Sequence, residues 1–315
     1  MPICLNKWQN WKLKRMIKGL LKSLFVLLFS TLVFSDTKLV ILGSGTPNPD
    51  PERSGSAYAV LINGKAYLVD FGPGIVRRAS SLSPEWGGEY PELSIKNLKH
   101  AFLTHIHSDH SAGLSDLILS PWVLGRDEPL RIYGPKGTKD MVYHVTEAYK
   151  LDINYRINGS QPSNQEGYKS EVTEITEGVI FKNSDLIVES IKINHGSLVN
   201  SFGYKFTTKD KVIVFSGDTA ESDNLFKKAE QADILVHEVY SESGWKKKTQ
   251  DWQKYHKAHH TSAVDLGFLA EKANVKKLVL SHLLLWGSSE ESLIKEVQQG
   301  YSGEVVIAKD LMVLN

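Results

Sequence analysis

The stretch FLTHIHSDHSAGLSD, residues 102–116, carries three histidines and an aspartate within six positions, at His105, His107, Asp109 and His110. Its first residue, Phe102, ends the run LKHAF, residues 98–102, which predicts a buried strand. Packing alone gives no reason to place four ligand-type side chains on one short loop. Imidazole and carboxylate groups without thiolate suit Zn²⁺ or a similar divalent cation. The stretch, whose residues 105–110 we call the histidine loop, therefore predicts a metal site at the end of a strand.

Three further ligand-type residues follow other apolar runs along the chain. His195 lies in INHGS, Asp218 in FSGDT and His282 in LVLSH. Because α/β proteins gather active-site groups at the carboxyl ends of their strands, we expect these residues to converge on the histidine loop. Seven donors are too many for one tetrahedral centre, so the pattern favours two metal ions.

The rest of the sequence alternates strand-like and helix-like segments. Two strands flank a tight turn at Asn63 and Gly64, and each half of the chain runs strands first and helices after. This order indicates an α/β protein with two sheets packed together and helices on their outer faces. Residues 151–170 are polar and weakly periodic, and we expect them to form an excursion between the two halves.

The first 35 residues differ from the rest in charge and hydropathy. Six basic residues and no acidic residue are followed by the apolar run LFVLLFSTLVFS. This order is typical of a secretory signal, and the run is shorter than the ~20 residues of a membrane-spanning helix. We predict a signal peptide at residues 1–35 and a secreted or periplasmic body at residues 36–315, without a stable membrane anchor after cleavage. An uncleaved N-terminal anchor is the alternative.

Charge and cysteine content narrow the partners that we expect. The chain has 37 basic and 36 acidic residues, so a body without the basic first segment is acidic. An acidic body lacks the broad positive field that long nucleic acids require, and we therefore expect a small-molecule substrate and no nucleic acid. The sole cysteine, Cys4, lies in the first segment, so the body has no thiolate ligand. The sequence leaves open whether the body forms a homodimer.

Several motifs together resemble the metallo-β-lactamase superfamily. They are THIHSDH, LGSGT upstream of it, SGDT downstream of it, and the later His195 and His282. The resemblance implies a four-layer αβ/βα sandwich with two Zn²⁺ per chain. His105, His107 and His195 would hold the first zinc, Asp109, His110 and His282 the second, and Asp218 would bridge the two.

Within this superfamily, LGSGTPNPDPERSGSA, HEVYSE and HHTSA resemble the branch of ribonuclease Z and the zinc-dependent arylsulfatases. His237-Glu238 and His260-Thr261-Ser262 match two active-site motifs of that branch, the second with its hydroxyl residues transposed. The resemblance implies that His260 donates a proton or hydrogen bond, that Glu238 orients it, and that Asp109 accepts a proton from the attacking water. Asp70 would support the metal loop, or serve only in a structural turn.

The substrate is the least determined feature. An aryl sulfate or phosphate ester is favoured by the export signal, by the acidic body and by three stretches that resemble the zinc arylsulfatases more than the tRNA processors: SPWVLGRDEPLRIYGPKGTK, HEVYSESGW and YHKAHHTS. Ribonuclease Z-type processing of tRNA is the alternative, although residues 151–170 hold only Arg156 and Lys169 where that family carries a basic RNA-binding arm. A lactone or β-lactam hydrolase and a zinc-stabilised binding protein are further alternatives. Five aromatic residues are candidates for an aryl site or for core packing: Trp122, Trp245, Trp252, Tyr255 and Trp286.

Overall fold

Two seven-stranded sheets form the centre of the protein in this computed structural model, which describes residues 36–315. The predicted signal peptide, residues 1–35, lies outside the described residues. The first sheet contains β1 (Lys38–Gly43), β2 (Ala57–Ile62), β3 (Lys65–Val69), β4 (Leu98–Phe102), β5 (Leu130–Gly134), β6 (Ser170–Glu174) and β14 (Val313–Leu314). Its order is β14-β1-β2-β3-β4-β5-β6, antiparallel from β14 to β3 and parallel from β3 to β6.

The second sheet repeats this plan with the second half of the chain. It contains β7 (Gly178–Lys182), β8 (Ile187–Lys192), β9 (Phe202–Thr207), β10 (Val212–Phe215), β11 (Ile234–Tyr240), β12 (Lys277–Leu284) and β13 (Glu304–Ile307). Its order is β13-β12-β11-β10-β9-β8-β7, antiparallel from β7 to β10 and parallel from β10 to β13. The last strand, β14, returns to the first sheet and pairs with β1.

Helices follow the strands in both halves. The first half has α1 (Ile75–Ser81), α2 (Ser108–Ser111), α3 (Leu114–Val123), α4 (Thr138–Ala148) and α5 (Lys150–Asn158), with short 3₁₀ helices at Pro84–Trp86, Pro91–Leu93 and Ile95–Asn97. The second half has α6 (Asp223–Lys228), α7 (Glu242–Trp245), α8 (Gln250–His259), α9 (Ala263–Lys272) and α10 (Glu290–Val297). None of the helices described for residues 36–315 combines the length and the hydropathy that a membrane crossing demands.

Three buried clusters separate four layers. In β3, Leu68 faces a cluster with α1 and α3, whereas Tyr67 and Val69 face the second sheet, as the two-residue period of a strand requires. The cluster on the other side of the second sheet includes Leu278 of β12 and Leu293 of α10. The predicted four-layer αβ/βα sandwich is confirmed.

Local expectations are met in part. Asn63 and Gly64 have φ of 47° and 75°, the left-handed pair of a tight hairpin turn. The expectation that residues 151–170 lie between the two halves is wrong, because the strand that begins at their end, β6, pairs with β5 of the first sheet. Helix α5 occupies most of their first half. This helix buries only Ile153, so its sequence has little periodicity to reveal it. The sequence also does not indicate the edge strands β6 and β7, because they are short and contain no buried residue.

Arg126 is a fully buried charged residue that joins the loop after α3 to its surroundings. Its guanidinium donates to the backbone oxygens of Leu117 at 2.9 Å, Ile118 at 2.7 Å and Gly167 at 2.8 Å. Burial lowers the pKa of Arg126 to about 10, which leaves it charged at neutral pH. The side chain therefore satisfies several carbonyls that no water reaches.

We predict that Arg126→Ala lowers the free energy of unfolding by about 3 kcal/mol or more, because it leaves these buried carbonyls unpaired. Arg126→Lys should recover little, since an ammonium cannot reproduce the planar fork. Urea denaturation of the purified variants measures the effect, with Arg77→Ala, an exposed arginine of α1, as the matched control. Equal stability of Arg126→Ala and the control would contradict this role.

Candidate metal centre

Strand ends from both sheets meet at one edge of the sandwich, and the predicted ligands lie there. Strand β4 leads into the histidine loop, β8 leads to His195, β10 leads to Asp218, and His282 lies in β12. Their ligand atoms form overlapping groups within 4.8 Å: His105 with His107 and His195; His105 with His110 and Asp218; Asp109 with His110 and His282; Asp218 with His260 and His282. The structure thus brings all seven side chains together, and their role as ligands stays a prediction.

His105, His107 and His195 form the first group. Nδ1 of His107 lies 3.1 Å from Nε2 of His105 and 3.2 Å from Nε2 of His195. Zinc–nitrogen bonds of ~2.0–2.1 Å in a tetrahedron set the nitrogens about 3.3 Å apart, so these atoms have the spacing of ligands. Nδ1–H of His195 donates to the backbone oxygen of His259 at 2.9 Å. This contact leaves the lone pair of His195 on Nε2, which faces the group.

Asp109, His110 and His282 form the second group. Oδ2 of Asp109 lies 3.1 Å from Nε2 of His282 and 3.4 Å from Nε2 of His110. His282 is the extra residue of a β-bulge in β12, opposite Glu238 and Val239, and has a φ of 47°. Bulges turn a side chain out of the regular alternation of a strand. The bulge therefore directs His282 towards the centre.

Asp218 lies between the two groups. Its Oδ1 is 3.5 Å from Nε2 of His110, and its Oδ2 is 3.4 Å from Nε2 of His282 and 4.0 Å from Nε2 of His105. Gly217, which precedes it, has a φ of 61°, and a Cβ there would contact the backbone oxygen of Phe202 at 2.9 Å. Glycine at this position lets the chain turn and place the carboxylate between the groups.

Asp70 supports the histidine loop from beneath. It is buried, has a φ of 58°, and follows β3. Its oxygens accept hydrogen bonds from N of Thr104 at 2.7 Å and from Oγ1 of Thr104 at 3.0 Å, and Nδ1 of His110 lies 2.7 Å from Oδ2. With Nδ1–H of His110 donating to this carboxylate, Nε2 presents its lone pair to the centre.

The protonation of the first group suits metal binding. Burial lowers the pKa of His195 to about 4 and lowers the pKa values of His105 and His107 from their ordinary value. These rings are therefore neutral at pH 7, the form in which imidazole binds metal.

Burial alone would raise the pKa of Asp218, but the charges of His282 and His110 outweigh it and hold that pKa well below its ordinary value. Burial alone would lower the pKa of His110, but the carboxylates of Asp218 and Asp70 outweigh it and raise that pKa well above its ordinary value. A metal at His110 would therefore displace a proton.

Several buried atoms at the centre have no hydrogen-bond partner among the described residues, and Nε2 of His110 and Oδ1 of Asp218 are among them. A buried polar atom without a partner costs free energy, and a cation between these two would satisfy both. The donor set of imidazole nitrogens and carboxylate oxygens is that of zinc and similar ions. The residues present therefore fit a divalent cation of this kind.

Glu238 and His260 lie beside the centre. Nδ1 of His260 is 3.3 Å from Oε2 of Glu238, and the His260 ring stacks on His282 with centroids 5.9 Å apart. Oε1 of Glu238 accepts hydrogen bonds from the backbone N–H groups of Thr261 and Thr219. Burial raises the pKa of Glu238 above its ordinary value and lowers the pKa of His260 to about 4. The two side chains are adjacent, but Nδ1 of His260 and Oε2 of Glu238 have no hydrogen-bond partner among the described residues.

His237 does not join the centre. Its ring stacks on Phe226, with centroids 5.6 Å apart. Successive side chains of a strand point to opposite faces, so only one member of the His237-Glu238 pair in β11 can face the ligands. That member is Glu238.

An open cleft of about 460 Å³ gives access to the ligands. Its far wall comes from α8 and the turn after β12, with Trp252, Tyr255 and Trp286 among the lining residues. Of the five aromatic candidates, these three line the cleft, whereas Trp122 is buried and donates to the backbone oxygen of Asn164. Trp245 packs near Tyr240 and does not line the cleft. Lys248, which the sequence did not single out, also lines the cleft.

Known proteins match this chain over most of its length. The family model of the Beta-lactamase superfamily domain matches residues 65–283. A Ribonuclease Z from Mycobacterium sp. (strain KMS) is 32% identical over 249 residues, which cover 78% of this chain and 84% of the relative. A Ribonuclease Z from Mycobacterium bovis (strain BCG / Pasteur 1173P2) is 29% identical over 279 residues, 87% of this chain and 96% of the relative.

Solved structures agree on the fold. The metallo-beta-lactamase fold protein YhfI from Bacillus subtilis superposes with a TM-score of 0.67 at 21% identity, covering 89% of this chain and 99% of that protein. Human tRNase Z, short form, superposes with a TM-score of 0.66 at 22% identity, covering 88% of this chain and 98% of that protein. At this level of identity, the likeness concerns the fold.

These relatives correct the expected substrate. The expectation of an aryl sulfate or phosphate ester is wrong, because the similar curated proteins are named ribonuclease Z. The misreading has a physical cause. Sulfate esters and phosphodiesters are attacked by the same activated water, so the ligand motifs do not distinguish them.

The expectation that nucleic acid is not a partner is wrong for the same reason, since these relatives are ribonucleases. It rested on the acidic net charge of the body. Net charge averages over the whole surface, whereas a substrate meets only the groups around the cleft. Residues 246–257 comprise the four residues before α8 and most of that helix, and they carry five lysines and one aspartate.

We predict that Asp70→Asn lowers metal affinity by ~10–100-fold, the usual effect of losing a group that orients a metal-binding histidine. The amide of asparagine cannot accept from both Thr104 and His110 as the carboxylate does, so the tautomer of His110 is no longer fixed. Competition with a chromogenic chelator measures the affinity, with Asp152→Asn on α5 as the control. Unchanged affinity in folded Asp70→Asn would reduce Asp70 to a turn residue.

Proposed function

This chain belongs to the beta-lactamase superfamily, and from that premise we propose that it is a metal-dependent phosphodiesterase of the ribonuclease Z type that hydrolyses RNA. The observation that carries the proposal is the 32% identity to a ribonuclease Z over 84% of that relative, in a chain that also brings seven ligand-type side chains together. The first supports the substrate and the second supports the metal-dependent chemistry.

The proposed metal centre holds two zinc ions. His105, His107 and His195 form one set of ligands, as their ring nitrogens converge. The other set is Asp109, His110 and His282, with Asp218 between the sets. When bound, divalent cations at such a site lower the pKa of water and polarise the phosphoryl oxygens.

The residues of the chain then manage the protons of hydrolysis. The oxygen of water forms a bond to phosphorus while the bond from phosphorus to the leaving oxygen breaks. Asp109 lines the cleft and takes up a proton from the attacking water. His260, whose ring also lines the cleft, donates a proton or hydrogen bond towards the leaving oxygen. Glu238, whose Oε2 lies 3.3 Å from Nδ1 of His260, orients this ring so that Nε2 faces the substrate.

The lysine-rich segment, residues 246–257, supports a polyanionic substrate. Of its five lysines, only Lys246 forms an ion pair within the described residues, with Glu242 at 3.3 Å. Lys247, Lys254 and Lys257 are exposed, and Lys248 lines the cleft. Lysine side chains beside a cleft attract the phosphates of a nucleic acid and strengthen binding through the release of counterions. An ester with a single charge would not need such a segment.

We predict that the purified, zinc-loaded protein cleaves a precursor tRNA and that chelation abolishes the cleavage. Denaturing gels of end-labelled RNA measure the products, and a chromogenic aryl sulfate serves as the negative comparison. The rate should fall steeply with added salt, because several phosphate contacts release counterions. Intact RNA in the presence of fully metallated protein would refute the proposed substrate.

We predict different defects for two histidine variants. His107→Ala should lose bound metal together with turnover, because it removes a ring nitrogen from the converging group. His260→Ala should keep its metal and lose ~10²-fold in rate, the usual scale of acid–base catalysis. Elemental analysis and RNA cleavage measure the two properties, with His144→Ala on the exposed side of α4 as the control. Wild-type rates in His260→Ala would remove it from the mechanism.

A further inference from the structure

Three aromatic side chains line the cleft on the side that faces the ligands. Trp252 and Tyr255 lie on α8 and are 54% and 41% exposed, and Trp286 lies on the turn after β12. We call these three residues the aromatic wall. Large exposed aromatic side chains gathered at a cleft indicate a surface that another molecule covers.

Packing does not explain the aromatic wall. The other residues of α8 are polar apart from Ala258, and His256 is the one buried residue of this helix. Trp252 and Tyr255 contribute little to the core, since about half of each side chain is in water. A helix of this composition would be more soluble with polar residues at both positions.

The rings are held in fixed orientations by histidines. Trp252 stacks on His256 with centroids 5.5 Å apart, and Trp286 also packs on His256 at 4.2 Å. Tyr255 stacks on His259 at 4.1 Å. Side chains that are fixed before binding lose less conformational entropy when a ligand arrives. The arrangement therefore favours binding to the exposed faces.

A cation accompanies the rings. Nζ of Lys248 lies 4.9 Å from the centroid of Trp286, within the cleft, and Lys254 and Lys257 are exposed on α8. Aromatic faces beside lysines are the combination that binds unpaired nucleotides, because the rings stack on bases while the cations contact the backbone phosphates. A purely apolar ligand would leave these cations without a function.

We propose that the aromatic wall stacks an unpaired nucleobase next to the scissile phosphodiester, with Lys248 on a neighbouring phosphate. This inference rests on the proposed RNA substrate. It assigns to the aromatic wall the selection of unpaired over paired RNA at the cut. The wall requires single-stranded RNA at the cut, since a paired base cannot present its face. It tolerates any base, because every base has an aromatic face.

The test compares binding of a short fluorescein-labelled single-stranded RNA, with a non-hydrolysable linkage at the cut, to metal-loaded full-length variants, measured by anisotropy. Trp252→Ala and Tyr255→Ala should each weaken binding about tenfold, within the range of base stacking on an aromatic side chain. Trp252→Phe should recover most of the affinity. Trp86→Ala, which removes a 75% exposed tryptophan outside the cleft, is the matched control and should bind like the wild type.

An abasic substitution distinguishes stacking from a general loss of surface. Each test RNA carries one abasic nucleotide, on one side of the cut or the other. At one of these positions, the missing base should weaken binding to the wild type about tenfold. The same RNA should bind Trp252→Ala only slightly more weakly than the intact RNA does. The stacking contact would be overturned if every abasic substitution weakened binding equally in the wild type and in Trp252→Ala. It would also be overturned if the wild type, Trp252→Ala and Tyr255→Ala bound the intact RNA with equal affinity. Thermal unfolding checks that the variants are folded.

The two proposals fail in different ways. If zinc-loaded wild type does not cleave RNA while Trp252→Ala still weakens RNA binding, the proposed reaction is wrong and the wall stands. If the wild type cleaves RNA and the KM for cleavage by Trp252→Ala is unchanged, the reaction stands and the wall is wrong.

Discussion

The buried carboxylate of Asp70 is the contact on which the rest of the site depends. It lies at the end of β3 and holds both Thr104 and His110 of the chain that follows β4. A non-glycine residue with positive φ is strained, and here three hydrogen bonds to one carboxylate offset that strain. Because β3 and β4 are parallel neighbours, one side chain fixes the histidine loop to the first sheet. The ligands contributed by the second sheet can then meet a loop of fixed shape.

Sequence patterns predicted the four layers and the meeting of the seven ligand-type residues, because each of these residues follows an apolar run that forms a strand. Only the resemblance singled out Glu238 over His237, because every residue of β11 is buried and its polarity does not alternate. The bulge at His282 is also invisible in the sequence, because it depends on the pairing of β12 with β11. The sequence also does not reveal that His256 and His259 of α8 support aromatic residues of the cleft wall.

The error over nucleic acid shows why net charge is a weak guide to the partner of an enzyme. The acidic residues of this chain are spread over both halves, and many pair with nearby lysines or arginines at the surface, as Glu166 does with Lys169 and Asp152 with Arg156. Such pairs cancel each other at short range. A phosphate near the cleft instead meets residues 246–257, where lysines exceed carboxylates. The local excess and not the total therefore decides whether RNA approaches.

Helix α8 connects the aromatic wall to the candidate metal centre. Its exposed face carries Trp252 and Tyr255, and its last residue, His259, accepts the hydrogen bond that orients His195. Just beyond it, the N–H of Thr261 donates to Glu238, so the carboxyl group that lies beside His260 also anchors the segment that follows the helix. A displacement of α8 would therefore move two residues of the aromatic wall, one candidate ligand and the proposed proton donor together.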